Sequence, residues 1–182
     1  MFTNELYNAE HRAREQVNDR RHVRMAAARQ AHQLYGDLQT RALLAQLWWA
    51  LRRRPRGLPT LAEVAKTSAV QGRHALGVRT IPVRRILGSE GRSKDFDAAF
   101  RPIQHHTRVR WLSVATAMIQ GLAIPPIEVV QLGDRFFVRD GHHRVSVARA
   151  LGQDEIEAIV TIWDAIPAPV TAASECRTAA LA

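Results

Sequence analysis

The residues best suited to chemistry lie in one short run, residues 140–144, which reads Asp-Gly-His-His-Arg. An apolar segment ends at Val138, and the pattern from His142 to Gly152 predicts a helix. The first amide groups of a helix have no partner inside it, and the helix dipole is positive at this end. Glycine, histidine and arginine at that point predict a site for a phosphate or a carboxylate.

Each residue of this run has a functional and a structural interpretation. Arg144 could bind a phosphate or be a solvated helix residue, and His142 could contact the same ligand. His143 could donate to the ligand, act as an acid or base near neutral pH, or simply pack in the core. Asp140 could hold Mg²⁺ together with phosphate oxygens, or cap the helix.

The chain is strongly basic. Its formal net charge is +9, and residues 1–56 carry 11 arginines against five acidic residues, a net of +6. This balance favours anionic partners such as nucleic acid, nucleotides or acidic lipids. A general compositional bias toward Arg and Ala is the alternative explanation.

Several classes of protein are disfavoured. The single cysteine, Cys176, excludes a disulfide framework or a cysteine-based zinc site within one chain. No signal peptide is visible at the start, and the longest apolar run, residues 42–51, is too short to span a bilayer. We therefore expect a cytoplasmic protein without a transmembrane segment.

The chain is predicted to have four parts. Residues 1–56 form a basic helical extension, a long helix or a helix pair broken at Gly36, because positions 5–54 contain no proline. Residues 57–78 predict a linker with one short helix, residues 79–164 a folded domain, and residues 165–182 a disordered tail.

The extension carries an apolar face and an aromatic end. The face comprises Leu34, Leu38, Leu44, Leu47, Trp48 and Leu51. Trp48 and Trp49 precede three arginines, which would suit a membrane surface or a nucleic acid. The simpler interpretation is a helix docked on the domain or on a second subunit.

Within the domain, strands and helices are mixed, which predicts an α+β fold. The pattern indicates an edge strand over residues 81–87, a hairpin at Gly133-Asp134 and a last strand over residues 156–162. A helix capped by Thr107 is expected to end at Gly121. Its predicted apolar positions are Val109, Leu112, Thr116 and Ile119.

Three motifs in this order carry a resemblance. Arg92 stands four residues before Phe96, a helix ends at Gly121 before a Pro-Pro-Ile segment, and Gly141 is followed at the third position by Arg144. Over about residues 79–163, this arrangement resembles the N-terminal domain of ParB and its relatives in the ParB/sulfiredoxin superfamily. The resemblance implies a small mixed sheet with flanking helices.

The resemblance also implies a function. It suggests a module for a nucleoside triphosphate, CTP or a similar nucleotide, with Mg²⁺ as an optional partner at Asp140. The phosphates would contact Arg92 and residues 141–144, while the base would contact the loop that contains Gly121, Ile124 and Pro126. The resemblance further suggests a role in chromosome partitioning. In that role the basic N-terminal region would contact DNA, and the protein would form a homodimer.

Two other functions remain open at this point. Free-serine kinases of the superfamily suggest a small phosphotransferase or phosphodiesterase, in which Glu90 and His143 would be catalytic. A DNA-binding accessory protein without nucleotide chemistry is the other. Sulfinic acid reduction is not expected, because His142 stands where sulfiredoxin has its cysteine.

Histidines and arginines near residue 107 complete the candidates. His105 and His106 could join His142 and His143 around a metal ion, but paired surface histidines are commoner. Arg108 and Arg110 are expected at the start of the Thr107 helix or on its solvated face.

Overall fold

The computed structural model describes residues 2–52, 58–66 and 68–167. The disordered tail expected over residues 165–182 is wrong for residues 165–167, which belong to the last strand, and its remainder lies outside this described part. Also outside it are Arg53, Arg54 and Pro55 at the end of the extension and the side chains of Trp49 and Leu51. Among the described residues, none of the helices combines the length and the apolar character needed to cross a membrane.

The structure contains four α-helices and five strands within the described part. In chain order they are α1 (Phe2–Arg52), α2 (Leu61–Ala65), β1 (Ser68–Pro82), β2 (Ile86–Ser89), α3 (Arg108–Ile119), β3 (Ile127–Leu132), β4 (Arg135–Asp140), α4 (His142–Ala150) and β5 (Glu155–Pro167). Short 3₁₀ turns cover Val83–Arg85 and His105–Thr107.

The five strands form one mixed sheet in the order β1-β5-β3-β4-β2. The β1–β5 and β3–β4 pairs are antiparallel, and the β3–β5 and β2–β4 pairs are parallel. With its flanking helices this sheet confirms the predicted α+β class. The edge strand predicted over residues 81–87 is divided: Pro82 ends the edge strand β1, a 3₁₀ turn covers Val83–Arg85, and Ile86 begins β2.

The expected linker is wrong for residues 68–78. These residues belong to β1, which pairs with β5 along its whole length, from Ser68 opposite Pro167 to Pro82 opposite Glu155. Gly72 and Gly77 produced the loop prediction, but they lie at the two register shifts of β1, where one extra residue is accommodated. The short helix predicted before them is α2.

The predicted hairpin is confirmed between β3 and β4. Gly133 has φ +62°, a conformation that favours glycine, and Leu132 pairs with Arg135 across the turn. Alternate residues of β3 and β4 face opposite sides of the sheet. Val129 and Val138 pack with Val145 of α4 in the main core, whereas Val130 and Phe137 pack with Leu61 of α2.

The N-terminal extension is one helix rather than a pair, and it continues through Gly36. Its contact with α3 uses Ala31 and Tyr35, which pack with Trp111 and Ala115 of α3. Leu34 and Leu38 of the predicted apolar face join this contact. The second half of that face is a wrong prediction, because Leu44, Leu47 and Trp48 are exposed. The small alanines allow the two helices to approach closely. The leucine spacing, on which the predicted face was based, does not indicate these positions.

The face predicted for α3 is confirmed in part. Leu112 and Ile119 pack against the contact with α1, whereas Val109 is 80% exposed and the fully buried residues of α3 are Trp111 and Ala115. Thr107 precedes the helix as expected, but its hydroxyl donates to the carbonyl of Gln104 instead of capping. Gly121 ends α3 with φ +67°, as predicted.

Candidate functional site

A cavity of about 250 Å³ opens at the N-terminus of α4, and we call it the N-terminal cavity. β4 leads directly into α4 through Gly141, so residues 140–144 form one wall. The remaining walls come from the β2–α3 connection, α3 and the loop before β3. Outside residues 140–144, the lining residues are Arg92, Arg110, Val114, Ile124 and Pro125.

Both the backbone conformation and the neighbouring atoms require glycine at position 141. Its φ of +97° is rarely adopted by residues with a side chain. A Cβ atom added there would lie 2.5 Å from Cγ2 of Ile127. The tight turn lets α4 begin at once, so the amides of residues 142–144 have no acceptor within the helix. The first α4 amide bonded in the helical pattern is that of Val145, to the carbonyl of Gly141.

His142 connects α4 to the end of β2. Ser89 Oγ lies 2.7 Å from His142 Nε2 and accepts hydrogen bonds from the amides of Gly91 and Arg92. Because these two amides occupy the lone pairs of Ser89, its hydroxyl proton is donated to His142 Nε2. The imidazole is therefore neutral and carries its proton on Nδ1. Burial, and then the charge of Arg92, lowers the pKa of His142 to about 4.

His143 is also buried and neutral. It packs edge-on against Phe96, with ring centroids 5.3 Å apart, and only 7% of its surface is exposed. Its Nδ1 is buried without a hydrogen-bond partner in the described part of the chain. Burial, followed by the charges of Arg110 and Arg92, lowers the pKa of His143 to about 4. A ligand that accepts or donates at this ring would relieve an unsatisfied polar atom.

Arg144 is largely occupied by internal bonds. Its Nη1 donates to the carbonyls of Pro125 and Pro126, and its Nη2 donates to Asp140 Oδ2 at 2.7 Å. Only 15% of the side chain is exposed. Arg144 thus fastens the loop before β3 against α4, a role that the sequence did not indicate.

The candidate metal residues Asp140 and His106 have other partners. Asp140 is already bonded to Arg144, and His106 lies 3.8 Å from Asp95. Within the described residues, the structure has no group of three or more His, Cys, Asp or Glu side chains placed to hold a metal ion.

Two further cations of the cavity come from other elements. Arg92 lines it from the loop after β2, with half of its side chain exposed and Asp95 4.0 Å away. Arg110 lines it from α3, one helical turn before Val114. The sequence placed Arg110 only at a helix start or on a solvated face. Its spacing of four from Val114 puts both on one side of α3, which was the available signal.

Glu90 lies outside the residues that line the N-terminal cavity. Its carboxylate accepts hydrogen bonds from Nε and Nη2 of Arg139, at 2.7 and 3.4 Å. This pairing raises the pKa of Arg139 and leaves Glu90 bound to a cation.

The loop residues divide between two depressions. Ile124 borders the N-terminal cavity, and it also borders a neighbouring depression of about 330 Å³ that Gly121 and Pro126 line. Ile124 and Pro125 separate the two spaces. The structure therefore brings Arg92, Ile124 and residues 140–144 together, with Gly121 and Pro126 on the far side of the same loop.

Comparisons with known proteins give little guidance. No family model matches the chain, and no curated protein matches it. Among solved structures, the chain is similar to the crystal structure of sulfiredoxin from Arabidopsis thaliana, with a TM-score of 0.35 and 17% sequence identity. The similarity covers 46% of this chain and 82% of the sulfiredoxin chain. A structural similarity at this level does not indicate a function for this chain.

Proposed function

We propose that this protein binds a phosphorylated ligand, a nucleotide of the CTP type, with its phosphates at the N-terminus of α4. One observation carries the proposal: residues 142–144, whose amides have no acceptor within α4, line the same cavity as Arg92 and Arg110. Helix amides with cationic side chains from other elements are a common anion-binding arrangement.

The charge of the cavity supports an anion. Asp140 and Arg144 neutralise each other, and both histidines are uncharged near pH 7 because each has a pKa of about 4. Of the charged residues that line the cavity, Arg92 and Arg110 remain, and Asp95 offsets Arg92 in part. The net positive charge suits a di- or triphosphate better than a neutral ligand.

The base would occupy the neighbouring depression beyond Ile124, against Gly121 and Pro126. A preference for cytosine comes from the family resemblance alone. Mg²⁺ would accompany the phosphates, and Asp140 could join it only after release from Arg144.

The test is isothermal titration calorimetry with CTP, ATP, GTP and pyrophosphate. Arg92→Ala and Arg110→Ala should each weaken binding by about tenfold or more, since each removes a charge-assisted hydrogen bond. Arg135→Ala is the matched control, because Arg135 is an exposed arginine on the β3–β4 hairpin, outside the residues that line the cavity. If the wild type binds none of the four ligands, the proposal is wrong.

Catalysis has less support than binding. The candidate base Glu90 is held by Arg139, and an imidazole with a pKa of about 4 is a weak base at neutral pH. Phosphotransfer therefore remains the second choice. Magnesium-dependent turnover that disappears in Glu90→Ala would reverse this order.

Association with DNA is a further part of the proposal, supported by the net charge of +6 in residues 1–56. Fluorescence anisotropy with a labelled duplex at several salt concentrations would test it. Affinity should fall steeply with salt, and replacing Arg20, Arg21 and Arg24 by alanine should flatten that dependence. Equal affinity for the triple variant and the wild type would remove α1 from the proposal.

A further inference from the structure

A second cavity, of about 270 Å³, lies between α1 and α4, and we call it the α1–α4 cavity. It shares no lining residue with the N-terminal cavity. Leu34 and Leu38 of α1 give it an apolar wall. Three arginines also line it: Arg41 from α1, Arg101 from the loop before α3 and Arg149 from α4.

The floor of this cavity contains a strained residue. Phe100 is 1% exposed and has φ +60°, the left-handed conformation that bulky residues avoid. A dense set of bonds holds it there: Asp97 Oδ1 accepts the amides of Ala99 and Arg101, and the Phe100 amide donates to the carbonyl of Asp97. Strain that is fixed so firmly by its surroundings occurs most often at functional positions.

This conformation places the Phe100 ring beneath Arg149, whose guanidinium carbon lies 4.6 Å from the ring centre. Both hydrogen bonds of Arg149 leave from Nη2, to the carbonyls of Val83 and Ile86. Its Nε is buried without an acceptor in the described part of the chain. Burial lowers the pKa of Arg149, with Asp97 opposing that effect. A cation in this position lacks a carboxylate of its own, since Asp97 is bonded to Arg101 at 2.7 Å.

The charges around the cavity point to a monoanion. Arg41, Arg101 and Arg149 contribute three positive charges, while Asp37 in the lining and Asp97, which is paired with Arg101, contribute two negative ones. One positive charge is left uncompensated. A phosphate dianion would exceed this charge and would be repelled by Asp37, whereas a carboxylate matches it.

We propose that the α1–α4 cavity is a binding site for a small organic carboxylate with an apolar body. The carboxylate lies between Arg41 and Arg149, and the apolar body packs against Leu34 and Leu38. The site is separate from the nucleotide site, and it links α1 to the domain through the ligand.

The probe for this test is benzoate, with benzamide as the neutral control of the same shape and phenyl phosphate as the dianion. Binding is followed by the methyl resonances of Leu34 and Leu38 in a leucine-labelled protein. Benzoate should shift these resonances with a millimolar dissociation constant, while benzamide and phenyl phosphate should bind at least about tenfold more weakly, because each lacks the matching charge.

Two variants test the location. Arg41→Gln removes one cation but keeps the main-chain carbonyl to which Arg101 donates, and it should weaken benzoate by about tenfold. Ala150→Leu fills the space from α4 and should abolish binding without losing the fold. Arg92→Ala is the matched control at the N-terminal cavity and should leave benzoate binding unchanged.

The two proposals fail separately. Loss of benzoate binding in Arg92→Ala, with no change in Arg41→Gln, would assign benzoate to the N-terminal cavity and overturn the carboxylate site. Absence of any shift at Leu34 and Leu38 at high millimolar benzoate would also overturn it. Neither result affects nucleotide binding, which is measured independently with Arg92→Ala and Arg110→Ala.

Discussion

The two ends of α4 each place an arginine beside a cavity, and the two arginines are bound differently. Arg144 at the start has three internal acceptors, one of them the carboxylate of Asp140. Arg149 near the end has two carbonyl acceptors, a stacked phenyl ring and no carboxylate of its own. An arginine that borders a cavity is thus not automatically available to a ligand, because availability depends on the acceptors already supplied by the protein.

The glycines that flank α4 provide the sharpest contrast between its ends. Gly141→Ala should lower the free energy of unfolding by about 4 kcal/mol, since the new Cβ meets Ile127 and the residue keeps a positive φ. Gly152→Ala, at φ +70° with open space around it, should cost only about 1 kcal/mol. Urea denaturation measures both, and equal losses would contradict the role of packing at Gly141.

The histidines make the first end of α4 sensitive to acid, whereas the second end has none. The pKa values of His142 and His143 are lowered to about 4, against about 6.5 in an unfolded chain. Between these values the unfolded state binds more protons, so stability should fall as the pH is lowered from about 6.5 to 4. Roughly 3 kcal/mol for the pair is expected after allowing for screening by solvent in the cavity.

Proton NMR titration of the imidazole resonances checks this directly. His142 and His143 should titrate near pH 4. Titration of both buried rings between pH 6 and 7 would contradict the neutral, desolvated state.

The two arginines can be compared by the same substitution. Arg144→Met should cost about 2 kcal/mol, because it leaves two carbonyls and Asp140 without their donor. Arg149→Met should cost about 1 kcal/mol, since removing a desolvated cation offsets part of the lost bonding. Thermal unfolding of both variants measures the difference. A larger loss for Arg149→Met would show that its charge is better compensated than the contacts indicate.

The smallest effect is expected at Glu90, which lies outside both cavities. Glu90→Gln should change the free energy of unfolding by less than about 1 kcal/mol, because its ion pair with Arg139 is partly exposed. The dissociation constant for nucleotide should be unchanged within about twofold. A large loss of affinity would return Glu90 to the ligand site, and calorimetry decides between these outcomes.

Prediction from sequence succeeded where the controlling contacts are short in range. The hairpin at Gly133, the helix end at Gly121 and the start of α4 at His142 follow from residues adjacent in the chain. It failed for β1, because the strand is held by pairing with β5, whose partner residues lie about 70 to 100 positions away. The most deeply buried residues of α3, Trp111 and Ala115, were missed for the same reason, because their burial comes from packing against α1.

The same division applies to the candidate site. Residues 140–144 alone determined that a glycine turn would present helix amides, a histidine pair and an arginine at one point, because a helix start has unpaired amides whatever surrounds it. Only the tertiary structure decided which cations remain free there. Ser89 reaches His142 across 53 positions, Arg144 is taken up by carbonyls 18 and 19 positions earlier, and Arg110 arrives from α3. Hydrogen bonding and burial between distant segments set these roles, and neither is visible in residue types and spacing.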